Sequence, residues 1–190
     1  MNAIGMIAIG TVDPPLLTAI ADEVHRTFRH PVSMLPPAPE PAFAFDERRG
    51  QYSSVLVLRS LLDRVQPSMI RILGVTAKDL FIPMLSFVLG QAQLNGRVAV
   101  ISLARLQQQF YGFPPDPDLL QARAIKEAVH EIGHTFGLTH CTDVRCPMSL
   151  SNNVHHVDTK GHVLCTACAA VFNEHLDHLR AGDDPPGAAG

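Results

Sequence analysis

The sequence predicts a single domain of the α/β (α+β) class, and three observations lead to that prediction. Residues 3–9 and residues 97–103 are continuous apolar runs with the length of buried strands. Residues 14–28 carry apolar side chains at helical spacing behind a proline pair, and a second stretch with this spacing begins near Leu119. A chain of 190 residues is long enough to bury a core of its own without disulfide bonds.

Composition and charge argue against some classes of partner and indicate a cellular location. The formal net charge is −3 and no basic run is present, which argues against nucleic acid or an anionic membrane as a partner. No apolar run approaches the roughly 18 residues of a transmembrane helix. The apolar start has no Lys or Arg ahead of it, so we interpret residues 3–9 as a strand rather than a signal peptide. We therefore expect a cytoplasmic monomer.

Several elements between these landmarks are predicted from local patterns. Asp13 is placed to cap the first helix, and the proline-rich residues 36–50 predict a loop. Asn95-Gly96 predicts a hairpin that leads into the strand at residues 97–103. A helix is predicted over residues 52–65, and its buried face is expected to contain Val55, Leu58, Leu61, Leu62 and Val65.

The last third of the chain divides at Gly137, which is placed to end a long helix. The apolar face of that helix is expected to contain Leu119, Leu120, Ala124, Ala128, Ile132 and Phe136. Residues 138–164 show little periodicity, which suits a segment ordered by metal, and residues 166–180 predict a final helix. We expect one catalytic domain over residues 1–180, with lobes at 1–137 and 138–180, and a disordered tail at 181–190. The inward side chains of the final helix are expected to be Ala169, Phe172, Leu176 and Leu179.

Residues 130–140, HEIGHTFGLTH, have the spacing of a hydrolytic zinc site. His130 and His134 are one helical turn apart, so both imidazoles can bind one zinc ion. Gly137 allows the chain to turn and bring back His140 as a third ligand. Three neutral protein ligands leave the fourth position for water, as in catalytic zinc sites.

Glu131 is rotated about 100° around the helix from His130 and points beside the metal. Zinc lowers the pKa of its water towards about 7, and Glu131 can take a proton from that water and pass it to a leaving amine. A lone histidine is more often a solvated or core residue, but the complete pattern strongly favours the metal site.

A second metal site is predicted from the four cysteines of the chain, Cys141, Cys146, Cys165 and Cys168. They form two close pairs, C-x4-C and C-x2-C, and such pairs wrap a tetrahedral zinc ion in structural sites. Free buried thiols, disulfides or an iron–sulfur cluster are the alternatives. Four thiolates would close the coordination shell and stabilise the fold.

The complete pattern resembles that of the archaemetzincin family in the metzincin clan of zinc metalloproteases. The pattern is HExxHxxGxxHC, four residues, CxM and a distal CxxC, and no motif position is substituted in this chain. Residues 73–96 and 98–106 also resemble the family.

The resemblance implies a metzincin-like zincin fold, in which a twisted mixed sheet lies against the active-site helix and a small C-terminal lobe is stabilised by zinc. It implies a catalytic zinc ion on the three histidines with Glu131 as base, and a structural zinc ion on the four cysteines. Met148 would form an apolar floor beneath the histidines. An edge strand within residues 85–93 would pair antiparallel with an extended peptide.

We therefore expect a zinc metallopeptidase with two zinc ions that acts on peptides or proteins. The alternative is a zinc-stabilised peptide-binding or regulatory protein with little or no catalysis. A zinc hydrolase of non-peptide amides is a third possibility, because the hydroxide chemistry is the same.

Overall fold

A mixed sheet of five strands forms the centre of the fold. The computed structural model describes the backbone of residues 3–181 and the side chains of residues 3–177. In chain order its strands are β1 (Ala3–Ile9), β2 (Val32–Met34), β3 (Phe45–Asp46), β4 (Gln51–Ser53), β5 (Met69–Thr76), β6 (Leu80–Phe81), β7 (Gly90–Ala92) and β8 (Val98–Ser102). The central sheet has the order β2-β1-β5-β8-β7, and β3-β4-β6 form a smaller sheet. In the central sheet only β7 is antiparallel to its neighbour.

Helices cover both faces of the central sheet. They are α1 (Pro14–Phe28), α2 (Ser54–Leu62), α3 (Pro117–Thr135), α4 (Val154–Thr159) and α5 (Thr166–Ala181). Side chains from α1, α3 and α5 share one core with one face of the sheet, and α2 packs in a second core on the opposite face. Successive residues of a strand alternate between the two cores, as the pleat requires. The predicted mixed α/β fold is thereby confirmed.

The strand predicted over residues 97–103 and the hairpin before it are both confirmed. Every residue of β8 is buried, which accounts for its unbroken apolar sequence. The turn between β7 and β8 contains Asn95 at a positive φ of 52°, a conformation that asparagine adopts more readily than most residues. The backbone N–H of Asn95 also donates to the carbonyl of His134, which joins the hairpin to α3.

The long helix is α3, and its two ends are set by local chemistry. It begins earlier than Leu119, because the Asp116 carboxylate accepts a hydrogen bond of 2.9 Å from the Leu119 N–H. It ends just before Gly137, which has a φ of 81° and so turns the chain away as predicted. Asp13 occupies the N-cap position of α1, but its side chain makes no capping hydrogen bond.

The helix predicted over residues 52–65 is shorter, and its predicted buried face is confirmed for Leu58 and Leu61 but wrong for Val55 and Leu62. Residues 51–53 form β4 instead, and α2 buries Val57, Leu58 and Leu61. Val55 and Leu62 are about 40% exposed. Apolar residues occur on more than one side of this short helix, so spacing alone did not determine which side packs on the sheet.

The C-terminal segment contains one helix that its weak periodicity did not predict. In α4 the side chains of Val154 and Val157 are buried. The final helix is confirmed as α5, where Phe172 packs on Phe28 and Phe136 with ring centroids 5.2 Å away. The predicted inward position of Leu179 and the predicted tail from residue 182 onward lie outside the described side chains and residues. The lobe division at Gly137 stays a prediction.

Across the described backbone, residues 3–181, no helix combines the length and apolarity needed to cross a bilayer.

Candidate active site

The first two histidines of the motif lie one above the other on α3. The Nε2 atoms of His130 and His134 are 3.0 Å apart, and their ring centroids are 4.5 Å apart. Helix geometry produces this stack, because residues four apart lie on the same face of a helix.

His140 reaches the same point from the segment that follows the turn at Gly137. Its ring centroid is 5.4 Å from that of His130 and 5.0 Å from that of His134. One ring nitrogen from each of the three histidines lies within 4.8 Å of those from the others. The structure therefore brings together the three residues predicted as ligands. His130 is buried and His140 is exposed, so the cluster opens towards solvent on one side.

Backbone carbonyls orient the two histidines of α3. Nδ1 of His130 lies 2.8 Å from the carbonyl oxygen of Pro147, and Nδ1 of His134 lies 2.7 Å from that of Leu138. A carbonyl can only accept, so each Nδ1 carries the proton and each Nε2 presents its lone pair to the common point. Burial lowers the pKa of His130 well below its ordinary value, and the nearby Lys160 ammonium lowers it further. Both effects favour the neutral imidazole that a metal ion requires.

Glu131 lies beside the histidine cluster and is only 5% exposed. Burial raises its pKa well above the ordinary value, the neighbouring Glu127 carboxylate raises it further, and the Lys160 ammonium opposes both. The carboxylate lies against Gly90 of the edge strand β7. The predicted base is therefore a desolvated carboxyl group between the active-site helix and the edge of the sheet.

Glu127 and Lys160 form a buried pair that the sequence did not predict. Lys160 Nζ is 3.6 Å from Glu127 Oε1 and 3.5 Å from Nδ1 of His130, and its side chain is fully buried. Glu127 lies four residues before Glu131 on the same helix, and this spacing indicates that the two carboxylates are neighbours. Nothing local to Lys160 marked it, because it follows α4 and meets α3 only in the folded chain.

A cleft of about 520 Å³ opens over the histidines. The cleft is lined by residues 85–92, by residues 150–152, by the three histidines and, from α3, by Glu127 and Glu131. The edge strand β7 contributes to this lining, so the predicted edge strand within residues 85–93 is confirmed.

The four cysteines converge as a second cluster, with their sulfur atoms all within 4.8 Å. Sγ of Cys141 is 3.7 Å from that of Cys165, and Sγ of Cys146 is 3.8 Å from that of Cys168. A disulfide needs about 2.05 Å between sulfurs, so these four thiols are free. Four sulfurs in a tetrahedron at about 2.3 Å from a zinc ion would lie about 3.8 Å apart.

Both donor sets fit zinc. The sulfur separations match a closed thiolate shell. The neutral imidazoles, open on one side, have the donor chemistry of a site that keeps a position for substrate or water. Met148 is fully buried under α3, where it contacts the Gly133 turn of the helix.

Three features define the class of protein as a zincin-like metallopeptidase. They are the mixed sheet, the histidine cluster under an open cleft and the cysteine cluster. The family model for peptidase family M54 matches residues 44–174. The chain therefore belongs to peptidase family M54, and it is a zinc metallopeptidase of the archaemetzincin kind.

Individual relatives agree with this assignment. The archaemetzincin of Methanocaldococcus jannaschii is 43% identical over 161 residues, which cover 84% of this chain and 87% of the relative. The crystal structure of archaemetzincin from Methanopyrus kandleri superposes with a TM-score of 0.78 at 34% identity, covering 93% of this chain and 96% of that one. A zinc-dependent peptidase from Methanocorpusculum labreanum superposes with a TM-score of 0.82 at 32% identity, covering 90% of this chain and 100% of that one.

Proposed function

We propose that His130, His134 and His140 hold the catalytic zinc ion and that Glu131 is the general base in peptide-bond hydrolysis. One observation carries the proposal: three imidazole nitrogens converge within 4.8 Å beside a buried carboxylate, under an open cleft. The carbonyl partners of Nδ1 hold the rings of His130 and His134 in the tautomer that directs Nε2 inward.

Glu131 moves the proton in this proposal. A zinc ion held by the three histidines would supply Lewis acidity, which polarises the peptide carbonyl and lowers the pKa of water. The Glu131 carboxylate accepts the proton that the attacking water loses and then donates it to the leaving amine. Its burial supports this role, because exclusion of bulk water prevents loss of the proton between the two transfers.

The substrate in this proposal is a peptide segment in extended conformation, bound along β7. This strand is at the edge of the sheet and pairs only with β8, so its other side is free of strand partners within residues 3–181. An extended peptide can add there as an antiparallel strand, with backbone hydrogen bonds that position the scissile carbonyl over the histidines. Residues of β7 and residues 150–152 both line the cleft, which supports this binding mode.

The four cysteines are proposed to hold a second zinc ion with a structural role. Four thiolates complete a tetrahedral shell and leave no position for water, so this site would take no part in hydrolysis. Its contribution is to the folding of residues 138–164, where α4 is the only helix among the described residues. A monomer in the cytoplasm, with neither nucleic acid nor membrane as partner, stays our prediction.

The test is to profile the cleavage of a diverse peptide library by the wild-type protein and by Glu131→Ala. We expect cleavage to be abolished in Glu131→Ala while zinc content and fold are retained. Asp22→Ala is the matched control, because it removes an exposed carboxylate on α1 and should leave cleavage unchanged. Retained cleavage in Glu131→Ala would contradict the mechanism. Peptide binding without cleavage in both proteins would indicate a binding or regulatory protein instead.

A further inference from the structure

We infer that Gly90 is a positioning residue for Glu131, because only a residue without a side chain lets the edge strand and the catalytic carboxylate lie in contact. The inference rests on the role of Glu131 proposed above. It adds a second residue to the catalytic machinery, on the strand proposed to bind the peptide.

The contact is closer than any side chain at position 90 allows. A Cβ atom built on Gly90 would lie 2.5 Å from Oε1 of Glu131, 2.6 Å from its Cγ and 2.8 Å from its Cδ. Real Cβ atoms essentially never approach other heavy atoms to less than 3.0 Å. Rotation of the carboxylate alone cannot relieve the overlap, since Cγ is as close as the oxygen.

The strand cannot easily move away to make room. Gly90 pairs with Ile101 and Ala92 pairs with Ala99 of the buried strand β8. Further along, the N–H of Asn95 donates to the His134 carbonyl over 2.9 Å, which fixes the hairpin to α3. On the other face of the strand, the Gln91 side chain is hydrogen-bonded to the Ser54 hydroxyl at 2.5 Å.

Glu131 would therefore be displaced if position 90 carried a methyl group. The side chain is 5% exposed and α3 fixes its backbone. Because Cγ takes part in the overlap, the side chain must change its χ1 torsion, and the carboxylate moves with it. The same strand is the proposed template for the substrate backbone. Gly90 thus sets the distance between the base and the bound peptide, and a shift of about 1 Å in a catalytic group can reduce the rate about 100-fold.

The decisive experiment is a double-mutant cycle between Gly90→Ala and Glu131→Ala on the midpoint of unfolding in urea, with kcat and KM of Gly90→Ala measured on one peptide substrate. Alanine at position 131 lacks Cγ, Cδ and Oε1, the three atoms that a methyl group at position 90 would overlap. We expect Gly90→Ala to lower kcat about 100-fold when Glu131 is retained, with little change in KM. It should also lower the urea midpoint when Glu131 is retained and leave the midpoint unchanged or higher in the Glu131→Ala background, so the two effects should be strongly non-additive.

Gly74→Ala is the matched control. Its added Cβ would meet the side chains of Ile9 and Leu61 at 2.9 and 3.0 Å, in the core on the face of the sheet away from the cleft. It should lower the thermal midpoint of unfolding and leave kcat and KM of the remaining folded enzyme unchanged. Zinc content should be the same in all variants, so a loss of metal cannot imitate the effect.

Additive effects on the urea midpoint, or a Gly90→Ala enzyme with wild-type kcat, would overturn the inference. The proposed function fails differently, because it requires Glu131→Ala to be inactive whatever residue occupies position 90. An active Glu131→Ala protein would contradict both the role of Glu131 as base and the inference about Gly90. An inactive Glu131→Ala protein with additive effects of the Gly90 and Glu131 substitutions would contradict only the inference about Gly90.

Discussion

The backbone N–H of Cys141 donates a hydrogen bond to the carbonyl oxygen of Met148, with 2.9 Å between the two atoms. Cys141 follows His140 directly in the chain, so this bond ties together the third histidine, the first cysteine and the methionine beneath the helix. We therefore expect the cysteine cluster to hold the segment from which His140 reaches its position.

Removal of two thiols from the cysteine cluster should weaken zinc binding at the histidines. In the Cys165→Ser/Cys168→Ser variant we expect a loss of zinc affinity at the histidine site of about 10- to 100-fold, as is typical when the support of a ligand is removed. Competition with a chromophoric chelator measures this affinity. Val163→Ser, at a side chain that is 69% exposed, is the control and should retain wild-type affinity. Unchanged affinity in the double variant would mean that the two sites are merely neighbours.

Substitution of Gly133 should reveal a close contact beneath the active-site helix. A Cβ on Gly133 would lie 2.5 Å from Sδ of Met148, and overpacking of this kind costs about 1–3 kcal/mol. Alanine is about 1 kcal/mol more favourable than glycine inside a helix, so helix propensity alone predicts that Gly133→Ala raises the free energy of unfolding. We expect Gly133→Ala to lower the free energy of unfolding in urea.

The same substitution tested in a Met148→Ala background provides the control for this contact. There the thioether is absent, so Gly133→Ala should be neutral or stabilising. An equal loss of stability in both backgrounds would show that Met148 is not the residue that excludes a side chain at position 133.

The histidine site was predicted from the sequence because its ligands lie within one helix and the turn that follows. Periodicity stacks His130 on His134, and Gly137 marks the reversal that brings back His140. The cysteine pairs were recognisable for the same reason, since each pair is close in sequence. Strand β8 and its hairpin were predictable from a continuous apolar run behind Asn95.

Contacts between distant segments could not be predicted in this way. Gly90 meets Glu131 only because the hairpin docks on α3, and Lys160 meets Glu127 only after α4 has packed. On α2, Val55 was wrongly predicted to be buried in place of Val57, because the two are equally apolar and only the position of the sheet distinguishes them. In each case tertiary packing supplies information that local spacing lacks.

The buried Lys160–Glu127 pair should make a measurable contribution to stability. Lys160→Met leaves the Glu127 carboxylate buried without its cation, and loss of one partner of such a pair costs about 3–5 kcal/mol. We expect a loss of this order in the free energy of unfolding in urea, measured at constant zinc concentration. The Lys160→Met/Glu127→Leu double variant should recover most of it, because neither charge remains buried. A double variant as unstable as the single one would show that the loss comes from packing.

Stability should depend on pH through His130 when zinc occupies only the cysteine site. Burial lowers the pKa of His130 well below 6.5 in the folded chain, whereas the unfolded chain titrates near 6.5. The unfolded state therefore binds the proton first as the pH falls. The stability that this histidine contributes is complete above about pH 6.5 and is lost as the pH falls towards the folded pKa.

Urea unfolding between about pH 7.5 and pH 5 checks this dependence. The free energy of unfolding should decrease with falling pH in this protein and decrease less steeply in His130→Gln. Identical slopes for the two proteins would show that another group dominates the pH dependence in this range.

The central claim, that the histidine cluster is the catalytic zinc site, is tested most directly by zinc titration of the EDTA-treated protein, with activity and bound metal measured on the same samples. The open histidine site should lose its metal first, while the closed thiolate site keeps it. We predict that EDTA abolishes peptide cleavage with one zinc ion retained per chain, and that activity returns in proportion to one further equivalent. Full cleavage with the histidine site empty would contradict the account.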